Sequence, residues 1–163
     1  MAKILIIFRH AKSSWSSGSL SDHERPLNER GMKEAPITAE KLAEQGFEPD
    51  TVLCSDAKRA QETWNFARSA FTSQPNISFL SELYNGSRDD ICALVGQQAD
   101  KVATLLLLGH NPMSEELIDY LSNNFTELKT SNAAVLRSDA KSWNEAVCKR
   151  GKWTLVTIIR PKD

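Results

Sequence analysis

Residues 4–10 read Ile4-Leu5-Ile6-Ile7-Phe8-Arg9-His10. An unbroken apolar run of this kind predicts a strand covered on both faces, as in the middle of an α/β sheet. The run stops abruptly at Arg9-His10. Both it and the later run Val102 to Leu108 are strand-sized, too short for a membrane span or a signal segment. A cytoplasmic location with no membrane partner is the expectation.

The rest of the chain repeats the alternation. Thr51-Val52-Leu53-Cys54, Ile77-Ser78-Phe79-Leu80 and Leu105 to Leu108 are further short strands. Between the first two strands, Asn28 can cap a helix carrying Met32, Ala35, Ala39, Leu42 and Ala43, with Gly46 at its end. Pro36 falls inside that stretch, which predicts a kink or a later helix start. Ala60, Thr63, Trp64, Ala67 and Phe71 mark a second helix, with Trp64 on its core face. Asp89 to Gln98 and a segment starting near Pro112 give two more. Val135-Leu136 and Leu155 to Ile159 are late strands around the polar stretch Ser138 to Lys152, a pattern suited to an antiparallel pair. Together these predict one domain, residues 1–163: a three-layer α/β/α sandwich with a mostly parallel central sheet and an antiparallel edge.

Bulk properties exclude several function classes. A net charge of -1 over 163 residues gives no global field to draw nucleic acid. The three cysteines, Cys54, Cys92 and Cys148, show no CxxC spacing, so a metal site or a redox cofactor has no support. No GxxxxGK[ST] loop is present, which disfavours an NTPase. No cofactor of any kind is implied.

The informative residues stand where strands end. The first strand ends at Arg9-His10, the second leads one helical turn later to Lys58-Arg59, and the fourth ends at Gly109-His110. Ligands of open α/β sheets bind beyond the carboxyl ends of the strands, so these groups can meet there. Two guanidiniums make a forked, permanently charged site for a dianion. Like charge nearby holds a histidine neutral and nucleophilic at pH 7. Phosphoryl transfer needs mainly positioning and charge stabilisation, and such a set supplies both.

Three blocks carry a resemblance. Phe8-Arg9-His10-Ala11-Lys12-Ser13-Ser14-Trp15, Ser55-Asp56-Ala57-Lys58-Arg59-Ala60-Gln61-Glu62-Thr63 and Gly109-His110-Asn111-Pro112 resemble, in order and spacing, the signature blocks of the histidine phosphatase superfamily. The short chain and Arg25-Pro26-Leu27 bring it nearest to the SixA subfamily of phosphohistidine phosphatases. The resemblance implies that His10 becomes phosphohistidine, Arg9 and Arg59 bind phosphoryl oxygens, and His110 stabilises the transferring group. Arg25, Ser16 and Asn111 then stand at substrate-binding positions. Glu82 is the nearest match to the family's acid, with Asp89 or Asp90 as alternatives. Ala11 replaces the signature glycine and is expected to narrow the space beside His10. His23 reads as a solvated loop residue, and Trp15 as either pocket lining or packing. The implied substrate is phosphohistidine on a protein, or else a small phosphorylated molecule. A phosphoglycerate mutase and a non-catalytic phosphoprotein-binding module are the rival readings.

Overall fold

The computed structural model describes residues 2–15 and 18–162. Strands β1 (Lys3–Arg9), β2 (Thr51–Ser55), β3 (Asn76–Leu80) and β4 (Thr104–Gly109) run parallel. β5 (Ala133–Ser138) lies antiparallel to β1, and β6 (Thr154–Ile159) antiparallel to β5. The sheet order is β3-β2-β4-β1-β5-β6, so the antiparallel pair occupies one edge and β3 the other. This is the predicted mostly parallel sheet with an antiparallel edge.

Alternation along each strand divides the core in two. Ile6, Phe8, Val52, Cys54, Leu106 and Leu108 face α1 (Glu29–Glu44) and α2 (Lys58–Ala67), meeting Ala39, Leu42, Trp64 and Ala67. Leu5, Ile7, Leu53, Leu105 and Leu107 face the opposite layer of α4 (Arg88–Gly96), α5 (Met113–Ser122) and α6 (Trp143–Val147). β1 and β4 are apolar on both faces because helices cover both, the reason their sequences read as continuous runs.

Three details refine the sequence reading. α1 begins at Glu29, where the Asn28 side chain accepts from the Gly31 N–H at 2.9 Å, and it runs on past Pro36. The fully buried stripe Ala35, Ala39 and Leu42 sustains it, whereas Met32 lies exposed. Next, the stretch read as a polar connector holds α6, and Trp143 is fully buried with its indole N–H donating to the Val102 carbonyl at 2.9 Å. Its ring lies 5.9 Å from that of Trp153, also buried. Finally, a one-turn helix α3 (Glu82–Asn85) follows β3 directly.

Register positions the strand ends. Arg9 pairs with Gly109, and Phe8 and Cys54 both pair with Leu108. His10, Ser55 and His110 therefore emerge at one rim of the sheet.

Candidate active site

The chain leaving β1 is fixed from three sides. The His10 N–H donates to the Gly109 carbonyl at 3.0 Å, and the Ser131 N–H reaches the His10 carbonyl at 3.1 Å. The Ala11 N–H donates to Thr63 Oγ1 at 2.9 Å, and that hydroxyl donates to the Arg59 carbonyl at 2.7 Å. α2 is thus tied to the first strand end at the turn that carries Arg59. Ala11 packs in a small apolar cluster with Leu27 and Ala35. Its methyl group packs there, whereas the sequence reading places it in the space beside His10. Gly31 must lack a side chain, because a Cβ would run into the Lys12 carbonyl.

His10 is 6% exposed, and its Nδ1 lies 2.7 Å from the Ala11 carbonyl oxygen. A carbonyl only accepts, so the proton of the neutral ring sits on Nδ1 and the lone pair on Nε2. Its pKa is pushed down to about 3, first by burial, then by His110, with Arg59 and Arg9 adding to the effect. Burial, more than the arginine charge that the sequence suggested, keeps this imidazole neutral. His110 lies with its ring 4.9 Å from that of His10, and its pKa falls to about 4 through burial and Arg59. Its Nε2 is 2.7 Å from Ser55 Oγ, which already accepts the Ala57 N–H at 3.1 Å. The Ser55 hydroxyl proton is free to donate to Nε2, which places the ring proton on Nδ1.

Each arginine is held by part of its fork. Arg9 donates from one terminal nitrogen to the Leu128 carbonyl at 3.1 Å, and Asn111 Nδ2 donates to the same oxygen at 2.8 Å. Glu115 accepts the Leu128 N–H at 2.8 Å, which locks that peptide. Arg59 spends two of its donors on Asp22, one on the carbonyl at 2.7 Å and one on the carboxylate at 3.1 Å. Among the described residues, seven buried side-chain atoms lack a partner, and four are Arg9 Nε, Arg59 Nε, His110 Nδ1 and Asn111 Oδ1. Buried polar groups are ordinarily paired. Three donors concentrated at one rim suit a ligand rich in acceptor oxygens, such as a phosphoryl group.

A family model for the histidine phosphatase superfamily (branch 1) matches residues 5–87, more than half of the chain. This chain belongs to the histidine phosphatase superfamily. An uncharacterized chloroplastic protein of Arabidopsis thaliana is 33% identical over 177 residues, spanning 99% of this chain and 79% of that protein. A protein assigned as phosphohistidine phosphatase SixA from Agrobacterium tumefaciens superposes with a TM-score of 0.83 at 27% identity over 98% of both chains. The protein histidine phosphatase SixA complexed with tungstate superposes with a TM-score of 0.82 at 25% identity over 97% of both. The histidine phosphatase match ends before His110, and the sheet register brings that second histidine beside the first.

The remaining histidine phosphatase positions fall differently. Arg25 lies at the same rim, donating to Ser13 Oγ at 2.8 Å and to Asp22 at 3.1 Å, with its guanidinium 3.6 Å over the exposed Trp15 ring. Glu82 opens α3 and is exposed, its carboxylate accepting from the Ser81 hydroxyl at 3.5 Å. Asp90 is taken up in the capping box of α4 with Ser87. Ser16 lies outside the described residues. His23 keeps a partly exposed side chain, but is paired with Asp56 at 2.9 Å and edge-on to Tyr84. Sequence reasoning missed Asp22 and Tyr84. The Tyr84 hydroxyl donates to Asp22 at 2.7 Å, and its ring lies 5.5 Å from that of His110. The only available signal was the Asp22–Arg25 spacing of three, which a helical turn converts into an ion pair.

The buried histidines have a consequence for stability. Both have folded pKa values depressed from 6.5, to about 3 and about 4. The unfolded chain therefore binds more protons between these values, and stability falls as pH drops from 6.5 toward 4. The expected result is a thermal midpoint that declines over this window. The decline should be shallower in a His10→Ala, His110→Ala double variant, as scanning calorimetry across pH would show.

Proposed function

We propose that this phosphatase is metal-independent and works through a covalent phosphohistidine on His10, with phosphohistidine on a protein as its substrate. The observation that carries it is the bond from His10 Nδ1 to the Ala11 carbonyl, which leaves Nε2 with a free lone pair. In the first step a bond forms from Nε2 to phosphorus as the substrate P–N bond breaks. The electron pair goes to the departing imidazole, which takes up a proton. Water then attacks phosphorus, the pair of the breaking P–N bond returns to Nε2, and phosphate leaves as dihydrogen phosphate with both protons of that water. Arg9 and Arg59 hold the non-bridging oxygens, with His110 Nδ1–H as a further donor. Arg25, Asn111 and Ser16 complete the substrate-binding set.

Two features support the P–N substrate. An alkoxide leaving group needs a proton donor, and Glu82, the residue assigned that role, stands exposed at the start of α3. An imidazole needs less help. The link from β3 to α4 is the single turn α3, a short cover that suits a side chain protruding from a protein. The tungstate held by the similar SixA is a tetrahedral oxyanion, in keeping with a phosphoryl site in this fold.

The test is a comparison of kcat/KM for phosphohistidine protein, an aryl phosphate, a sugar phosphate and 3-phosphoglycerate, with and without EDTA. Phosphohistidine should rank first and EDTA should leave all rates unchanged. Preference for phosphoglycerate with transfer between its hydroxyls would instead make the protein a mutase.

A further inference from the structure

Asp22 lies in the 3-10 turn Asp22–Glu24, which packs on α2. One carboxylate oxygen accepts from Arg25 Nε at 3.1 Å. The other accepts from Arg59 at 3.1 Å and from the Tyr84 hydroxyl at 2.7 Å. Among the described residues no other carboxylate pairs with either guanidinium. Three of the roughly four lone-pair sites of the carboxylate are thus occupied. The group is held at a pKa of about 2, first by the Tyr84 hydrogen bond and then by Arg59 and Arg25. It therefore lends no proton at neutral pH, and acts through charge.

The direction of the reaction places this charge. His10 is nearly fully buried at the strand end. In-line displacement sends the leaving group away from the nucleophile, toward the open rim, where the Asp22 side chain is half exposed and Tyr84 covers His110. A leaving group departing on that line passes the Asp22 carboxylate, which both guanidiniums hold. That carboxylate also neutralises the guanidiniums that would otherwise attract a second anion.

We propose that Asp22 is a specificity-determining residue. Its carboxylate rejects substrates whose leaving group carries a second anionic group and admits leaving groups that are uncharged or present an N–H donor, as imidazole does. This rests on the reading of His10 as phosphoryl acceptor and adds a charge filter to it.

The test measures kcat/KM of the native chain, Asp22→Asn, Asp22→Ala and Tyr84→Phe on phenyl phosphate, 3-phosphoglycerate and phosphoimidazole. Removing the charge should raise the ratio of 3-phosphoglycerate to phenyl phosphate roughly tenfold at low salt, less at high salt. The ratio of phosphoimidazole to phenyl phosphate should fall. Both Asp22 variants should shift alike. Tyr84→Phe removes a hydrogen bond but no charge, and should keep the native ratios. Unchanged ratios in the Asp22 variants, or an equal shift in Tyr84→Phe, overturn the charge filter while leaving the phosphatase reading intact. A native chain that turns over none of the three probes and forms no phosphoenzyme overturns both.

Discussion

Replacing His10 with alanine is expected to lower hydrolysis of phosphohistidine protein by at least about 10⁴-fold, because it deletes the proposed nucleophile. The native chain should carry an acid-labile, base-stable phosphoryl group after brief exposure to substrate, and the variant should carry none. Among the described residues no second group is placed to substitute. The His110 ring is nearest, but its Nε2 is engaged with Ser55 and its proton is placed on Nδ1, so it presents a donor where a nucleophile would need a lone pair. Loss of activity through unfolding is separable from loss of the nucleophile. Removing a neutral imidazole from this site leaves no buried charge unpaired, so the thermal midpoint at pH 7 should move little compared with the rate. Hydrolysis undiminished in His10→Ala would sink the covalent mechanism.

The fold was legible where burial was symmetrical. β1 and β4 are covered on both faces, so their apolar runs identify them without help from neighbours. The edge was harder. β3 exposes Ile77 and Phe79, and only the turn residues Pro75-Asn76 before it marked its start. Trp143 and Trp153 escaped notice because each sits alone among polar residues, and α6 is too short for a period to register. Their burial is decided by tertiary contact, including the indole bond to Val102, far away in the chain.

The site shows the same division. His10, Arg9, Arg59 and His110 were legible because each stands at or just after a strand end, and a parallel sheet brings such ends to one rim. What surrounds them was not. The Asp22 contacts with Arg59 and Tyr84 join a loop, α2 and α3, segments with no local pattern that records their meeting. The Leu128 peptide that braces Arg9 through Asn111 and Glu115 comes from an irregular stretch before β5. The side chains gathered at the rim can be read from strand ends. The backbone and carboxylates that aim them come from loops, whose positions depend on the completed fold.

The main cause of the depressed His10 pKa also had to await the structure, since sequence offers charge but not depth. Burial is its first cause and the neighbouring arginines are lesser ones. This ordering gives the arginines a different primary task, and Arg59 is the one on which the task can be measured. The guanidinium presents five N–H donors. Two are spent on Asp22, while its buried Nε has no partner among the described residues. Arg59→Ala should therefore lower kcat/KM for phosphohistidine protein by about 10²- to 10³-fold, the range for losing a preorganised donor to transition-state charge. Arg59→Lys should recover only a small part, since an ammonium restores the charge but not the fork that spans Asp22 and a phosphoryl oxygen at once. A second readout separates this role from structural support. Arg59 lowers the pKa of His110 next after burial. Removing it lets that ring protonate at higher pH, so the acid limb of the pH–rate profile should move upward in Arg59→Ala and less in Arg59→Lys. A lysine variant with native kcat/KM would show that charge alone suffices and that the fork has no part in the reaction.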